Sequence, residues 1–528
     1  MSSPKTLDEL EQALVKQAVE TIEAKIGAKK TSDPKVKDMI AIVERFIKKH
    51  ALVCYGGTAI NNILPEEAQF YDKKTEIPDY DFYSPSALEH AKDLADEFYE
   101  NGYSEVEAKS GMHHGTYKVF VNFVGIADIT QLDPTLFKNI RADAIKVDGI
   151  LYAPPNLLRM GMYLELSRPE GDVSRWEKVS KRLALLNKHH PLKAAGCTPD
   201  KLMKPFQTPK KTGQHKLHDV GTVTPTADEI DGATTEKDEE PEEVRLFRTV
   251  RNAFIDEDLV FFGGYAISHY ARHLPKSEKA LFAQIPHFDV LSVDPEASAA
   301  KVKERLEDND FTGIVVTKHS GIGEIVPEHY EVAMGNVPVA FIYKPVACHS
   351  YNVVQAGKRR VRIASTDTML SLHLAMIYTD KPYYDVARIL CMCKQLYDIQ
   401  QRNRLNQTGL LRRFGLACYG KQETLDDIKA VKAEKYQELK HDDPEYEEWF
   451  LKYSPMEYFE HTYNAKQHKL TVKRSPNAKK SPARSSPARS SPKPSSPKKT
   501  MKKKPAVKKK KKTKKSKPLL NKFFKIIT

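Results

Sequence analysis

Nowhere in its 528 residues does the chain contain a GxxxxGK[ST] run, which excludes the phosphate-cradling loop of P-loop enzymes. Cysteine is scarce, and the six present (Cys54, Cys197, Cys348, Cys391, Cys393 and Cys418) show no zinc-type pairing. That usage predicts a reducing, intracellular setting rather than a disulfide framework. Cys391 and Cys393, two apart on a predicted helix, diverge and read as packing residues rather than ligands. No apolar stretch approaches the roughly 18 residues needed to span a bilayer, and the opening residues have no secretory pattern, so a soluble protein is expected.

Acidic residues are missing altogether from Lys466 to Thr528, where 24 Lys and Arg fall. Removing these from the total of 84 leaves 60 basic against 70 acidic residues in the first 465, a balance of −10 beneath an overall +14. The body is therefore acidic and the basic character sits in one tail. This tail is rich in Pro, Ser and Lys, repeats Ser-Pro-Ala-Arg over residues 481–489, and has too little apolar surface to fold alone. It reads as a polycation that gathers nucleic acid by phosphate neutralisation, with a solubility tail or an import signal as the plainer readings. Phosphorylation at its Ser-Pro sites would lower that charge. The apolar end, Leu519 to Ile527, is too short for a span and reads as a docking segment.

What the chain does have is one pattern twice. Leu52 to Ile60 (LVCYGGTAI), then Ile77 to Ser84 (IPDYDFYS), then Val124 to Ile129 (VGIADI) recur as Val260 to Ile267 (VFFGGYAI), Ile285 to Ser292 (IPHFDVLS) and Val337 to Ile342 (VPVAFI). The copies lie 207 to 213 positions apart in the same order, and Tyr117 to Asp128 aligns without a gap on Tyr330 to Phe341. A duplicated fold follows, with one working site and one relic. The expected class is α/β (α+β): two tandem domains with mixed sheets and flanking helices. Boundaries are set at 1–50 for N-terminal helices, 51–205 for the first domain, 206–243 for a linker or surface loop, 244–463 for the degenerate domain with C-terminal helices, and 464–528 for a disordered tail.

Alternate residues of a strand share a face about 6.6 to 6.8 Å apart, so Asp79 and Asp81 point one way while Tyr80 and Phe82 point into the core. Two like charges on one face call for a cation between them, and Asp128, in a second apolar strand, supplies a third carboxylate. Gly56-Gly57-Thr58 ends a strand and opens a helix, where bare amides and the helix dipole favour a triphosphate. Taken singly, an Asp-x-Asp reads as a solvated strand edge and a Gly-Gly as a turn; order and spacing together make the site. In the second copy Phe288 and Val290 keep the core parity, whereas the active face becomes His287 and Asp289 and Asp128 becomes Phe341. Asp289 reads as a hydrogen-bonded structural residue.

Gly-Gly, Asp-x-Asp and a distant Asp are the signature of the polymerase-beta-like nucleotidyltransferases. The runs from Gly56 to Asn61, from Ile77 to Ser84 and from Glu165 to Val179 resemble the poly(A) polymerase catalytic subunits of large nucleocytoplasmic DNA viruses, of poxvirus and mimivirus type. The resemblance covers roughly residues 30–450. It implies a nucleotidyltransferase fold in both halves, the second inactive; a homodimer; a place in the host cytoplasm or virion; and AMP transfer from ATP to RNA 3′ ends in mRNA polyadenylation. Two Mg²⁺ or Mn²⁺ ions would be held by Asp79, Asp81 and Asp128. Triphosphate or adenine contacts are sought among Arg168, Lys178, Lys181 and Arg182, against a solvated helix face as the plainer reading. On the loose alignment Lys178 falls on Cys391 and Arg182 on Gln395, so the basic groups are expected to vanish with the carboxylates. Other superfamily transferases, adding other nucleotides or modifying protein, and a non-catalytic nucleic-acid-binding protein are the rival readings.

Overall fold

The computed structural model describes residues 6–72, 74–197, 224–232, 240–279, 284–323 and 325–458. The basic tail, its apolar end and most of the predicted linker lie outside them. The described residues up to Met456 form one compact unit holding both sheets.

The first half runs α1 (Leu7–Ser32), α2 (Pro34–His50), β1 (Val53–Tyr55), α3 (Gly56–Ile63), β2 (Tyr80–Ser84), α4 (Ala87–Glu100), β3 (Val106–Ser110), β4 (Thr116–Val121), β5 (Val124–Gln131), α5 (Pro134–Ala142), β6 (Ile145–Val147), β7 (Ile150–Tyr152), α6 (Pro155–Leu166) and α7 (Trp176–His189). The second runs α8 (Glu242–Asp256), β8 (Val260–Phe261), α9 (Gly264–Ala271), β9 (Phe288–Leu291), α10 (Pro295–Glu307), β10 (Ile314–His319), β11 (His329–Met334), β12 (Val337–Tyr343), β13 (His349–Ala356), β14 (Arg359–Ala364), α11 (Thr366–Met376) and α12 (Val386–Arg402). After it come β15 (Cys418–Tyr419), α13 (Leu425–Glu438), α14 (Pro444–Phe450) and β16 (Lys452–Tyr453).

Both sheets have the same order. The first is β16-β3-β4-β5-β2-β1-β7-β6 and the second β10-β11-β12-β9-β8-β14-β13-β15, so each core of seven strands superposes in sequence order. Even a bulge repeats: the β4/β5 ladder slips between Val119 and Phe120, and the β11/β12 ladder between Val332 and Ala333, 213 positions on in each case. Parity follows the expected period of two, with Tyr80, Phe82, Phe288 and Val290 buried. The halves meet through counterpart helices, α6 packing on α11.

Local chemistry explains the lead-in to the site. Asp33 accepts from the Lys35 amide at 2.9 Å to cap α2 just before Pro34, and Ala51 in the left-handed region at φ 48° stops the helix and turns the chain into β1. From the buried face of α2, Glu44 accepts from the Tyr80 hydroxyl at 2.7 Å and ties the helix to β2.

Several features add to or depart from expectation. Two disulfides form, Cys197–Cys391 and Cys348–Cys418, leaving Cys54 and Cys393 as buried thiols. Their Cα atoms stand 5.6 and 5.2 Å apart across 194 and 70 residues of chain, a proximity that spacing along the sequence does not disclose. α1 forms, but none of its side chains is buried, so its apolar stripe from Leu7 to Ile26 faces outward. Residues 366–405 hold two helices, α11 and α12, with the helical run broken over residues 377–385. Finally, the C-terminal helices return to the first sheet: Lys452 pairs with Lys109, and the Tyr117 hydroxyl donates to the Glu448 carbonyl at 3.2 Å. Within the predicted linker, residues 227–232 form a helical turn whose Asp231 accepts from Arg251 and, at 2.9 Å, from the Tyr265 hydroxyl.

Candidate active site

Asp81 and Asp128 lie directly opposite one another on adjacent parallel strands, with Tyr80 opposite Ala127 and Phe82 opposite Ile129. Neighbouring strands are about 4.8 Å apart, so two residues 47 positions distant in sequence share one small patch of sheet. Asp79 leads into β2, and its backbone carbonyl accepts from the Thr58 hydroxyl at 2.7 Å, which ties the acidic strand to the first turn of α3. Asp79 also acts electrostatically on Asp128. Burial is the main cause that raises the Asp128 carboxyl above its ordinary range; Lys118 opposes it and Asp79 reinforces it.

Lys118 was not foreseen. It stands opposite Asp128 on β4, and its ammonium contacts the Asp128 carboxylate. The three aspartates are not closed into a ligand cage. Among the described residues, the one set of three potential ligand atoms within 4.8 Å of one another is Glu170, Cys348 and Cys418, where the two sulfurs are bonded to each other. At Asp128 the ammonium supplies the positive charge that a divalent ion would supply.

The glycine pair is shaped by what approaches it. Gly56 sits at φ 73°, and a Cβ there would meet Asp81 Oδ2 at 2.8 Å; Gly57 leaves room for the Tyr71 hydroxyl and the Arg182 guanidinium, which a Cβ would meet at 2.5 and 2.9 Å. Bare backbone therefore lies between a carboxylate and a guanidinium. The donor set fits divalent cations on one side and phosphate on the other.

Arg182 is buried on α7, where its Nη2 donates to the Tyr71 hydroxyl at 2.6 Å and its guanidinium lies 4.8 Å from the Phe70 ring. Phe70 and Tyr71 are in turn held by Asn61, whose Oδ1 accepts from both of their amides, at 2.7 and 2.9 Å. Asn61 ends the glycine motif's run, and nothing in the sequence marks its hold on residues 70 and 71. Lys178 is on the same α7 face, one turn before Arg182, and exposed. Lys181 pairs with Glu177 at 2.6 Å and is 72% exposed, the solvated-face arrangement. Arg168 belongs to another neighbourhood, where Glu165, Arg175 and the second half's His349 act on it or are acted on by it.

The second copy keeps more than expected. Arg388 Nη2 is 3.8 Å from where a Cβ on Gly264 would stand, as Arg182 approaches Gly57, so a guanidinium remains beside both glycine pairs. The expected loss of this group through Gln395 is thus corrected: α12 carries its arginine seven residues earlier than a continuous alignment implies. Around it His287 Nε2 lies 3.3 Å from Asp289 Oδ2, while Phe341 packs against His287 and Tyr383 with ring centres 5.2 and 5.5 Å away. A Cβ on Gly263 would stand 1.8 Å from Asp289 Oδ2, so the carboxylate occupies the space above the glycine. A cavity of about 30 Å³ is left, enough for roughly one water.

Residues 41–172 match the family model described as "Poly(A) polymerase catalytic subunit". The chain is 33% identical over 192 residues to the "Putative poly(A) polymerase catalytic subunit" of Acanthamoeba polyphaga mimivirus, a match covering 34% of this chain and 32% of the relative. It is 31% identical over 182 residues to the protein of the same name from African swine fever virus, covering 33% and 38% respectively. These matches span about a third of each curated relative. The crystal structure of the Megavirus polyadenylate synthase is similar over 90% of this chain and 92% of that one, with a TM-score of 0.67 at 19% identity. Among the described residues no helix is long and apolar enough to cross a membrane. Residues 41–172 are thus similar by sequence to the poly(A) polymerase catalytic-subunit family, and the two sheets together have the fold of that viral synthase.

Proposed function

We propose that the chain is a template-independent polynucleotide adenylyltransferase that adds AMP from ATP to RNA 3′ ends. The observation that carries this reading is the opposition of Asp81 and Asp128 across β2 and β5, next to Gly56-Gly57 and Arg182. Two divalent ions, Mg²⁺ or Mn²⁺, held by Asp79, Asp81 and Asp128, supply activation of the 3′-hydroxyl and charge neutralisation of the departing pyrophosphate.

The chain's own residues do the rest. Gly56, Gly57 and Thr58 offer the triphosphate the amino end of α3 at backbone distance. Arg182, already oriented by Tyr71 and Phe70, gives a planar donor fork for phosphate oxygens, and Lys178 adds a second positive charge on the same helix face. Lys118 balances the charge of Asp128 through its contact with Oδ2 and would compete with a metal for that oxygen. The tail cations hold RNA, and a homodimer is the proposed assembly.

Primer extension on single-stranded RNA with each of ATP, UTP, CTP and GTP, with divalent ion, tests the assignment. ATP-dependent lengthening that disappears in Asp81→Asn is the expected result. Preference for another nucleotide moves the chain to a different transferase, and no turnover by the wild type ends the enzymatic reading.

A further inference from the structure

The hairpin that carries Asp128 ends in an unusual turn. Val121 pairs with Val124, so β4 and β5 are joined by the two residues Asn122 and Phe123, with φ of 49° and 64°. Such a turn favours Asn-Gly, because both central residues occupy the left-handed region, where Cβ crowds the following carbonyl oxygen and which glycine and, less readily, asparagine tolerate. Phenylalanine there gains no packing in return, since it is 85% exposed. The counterpart turn between β11 and β12 is Gly335-Asn336, with Gly335 at φ 62°, which is ordinary turn chemistry. Between two hairpins that match residue for residue, down to a shared bulge, the strained exposed aromatic occurs only in the half with the three aspartates.

Its position relative to the site is set by strand register. β2 begins at Tyr80, opposite Ala127, so Val124 to Ile126 run on beyond the start of β2. That is the end at which β1 delivers Gly56-Gly57, because Tyr55 pairs with Asp81. The hairpin tip therefore overhangs the mouth of the site, about 17 Å or less along the strand from Asp128 at ~3.4 Å per residue. A bound single strand with its 3′ end at the aspartates would present an earlier base at that distance. Aromatic rings hold unpaired bases by stacking, and they do so with little sequence preference because every base has a π face. Such tolerance suits a strand extended without a template.

We propose that Phe123 is a stacking platform for a base of the RNA primer a few nucleotides behind its 3′ end. The proposal rests on the reading that the chain extends RNA. It also explains why a turn position suited to glycine carries phenylalanine: local stability is given up for an exposed π surface.

The test uses the full chain, a short oligo(A) primer, and Phe123→Gly beside Phe123→Trp. Phe123→Gly creates the favoured Asn-Gly turn, so it should melt at a higher temperature than the wild type while its primer Kd rises on the order of tenfold and the KM for ATP stays unchanged. Phe123→Trp should bind primer as tightly as the wild type. Unchanged primer binding in Phe123→Gly overturns the proposal, as does a loss that Phe123→Trp fails to avoid, and unchanged RNA binding with loss of another protein's binding would assign the residue to a protein partner. If the wild type transfers no nucleotide while Phe123→Gly still weakens RNA binding, the enzymatic reading fails and the stacking role stands.

Discussion

Two sheets of identical strand order differ at the few positions that face one end of β2 and β9. Asp79, Asp128 and Lys118 in the first become His287, Phe341 and Glu331 in the second, while the glycine pair, the neighbouring guanidinium and the bulge persist. The contrast separates two kinds of constraint. Core-facing parity and bulge geometry hold the sheet together, and both copies need them. Burial of charge on the open face is costly, in keeping with the raised Asp128 carboxyl, and in the second half two of the four charged positions, those of Asp79 and Asp128, carry the rings of His287 and Phe341 instead.

Removing the carboxylates is the strongest way to break the comparison. If Asp128 holds metal as proposed, Asp128→Asn should lower nucleotide incorporation on the order of 10³-fold or more, while Asp289→Asn should leave incorporation within about twofold. The stability effect runs the other way. Folding raises the Asp128 carboxyl, so its ionised form costs stability at neutral pH, and the amide should melt no lower than the wild type. Equal losses of activity in the two variants would erase the distinction between working site and relic.

Acid should weigh more heavily on the second half; in the first, burial also lowers His90. Burial holds His329 at about 4, His349 at about 3 and His373 at about 4, all in the second half and all below the ordinary 6.5. Between pH 6.5 and 4 the unfolded chain takes up these protons and the folded one does not, so stability falls as pH drops. Each imidazole contributes about 1.4 kcal/mol per pH unit, a total on the order of several kcal/mol by pH 5. Asp128 has the opposite sign, because its folded form binds a proton more tightly than its unfolded form. Hydrogen exchange at pH 7 and pH 5, corrected for intrinsic rates, should show protection lost first in β11, β13 and α11 and retained longer in β4 and β5. Uniform loss, or earlier loss in the first half, would contradict this.

Much of the arrangement was legible because it depends on short-range periodicity. A period of two put Asp79 and Asp81 on one face, and a gapless match of Tyr117–Asp128 with Tyr330–Phe341 paired Asp128 with a phenylalanine. What stayed hidden depends on register across strands and helices. Counting back from the Asn122-Phe123 turn sets Lys118 against Ala127; only the extra residue at the bulge moves it to Asp128. Arg388 escaped because α12 does not keep the spacing of α7, although a basic residue at the start of that helix was a usable signal. The disulfides and the return of β16 to β3 join segments with no local mark of their proximity.

The retained arginine gives the smallest and sharpest contrast. Arg182→Lys keeps the charge but loses the planar fork that Tyr71 and Phe70 orient, so the KM for ATP should rise on the order of tenfold, with a smaller change in primer binding. Arg388→Lys should leave ATP and primer parameters unchanged, because the space over Gly263 is already occupied by Asp289 and only about 30 Å³ remains. Its effect should appear in melting temperature instead, since a half-buried guanidinium acted on by Asp289 and Asp385 loses part of its setting. If Arg388→Lys also raised the KM for ATP, the second glycine pair would be a nucleotide site rather than a filled one, and a relic would be the wrong description of that half.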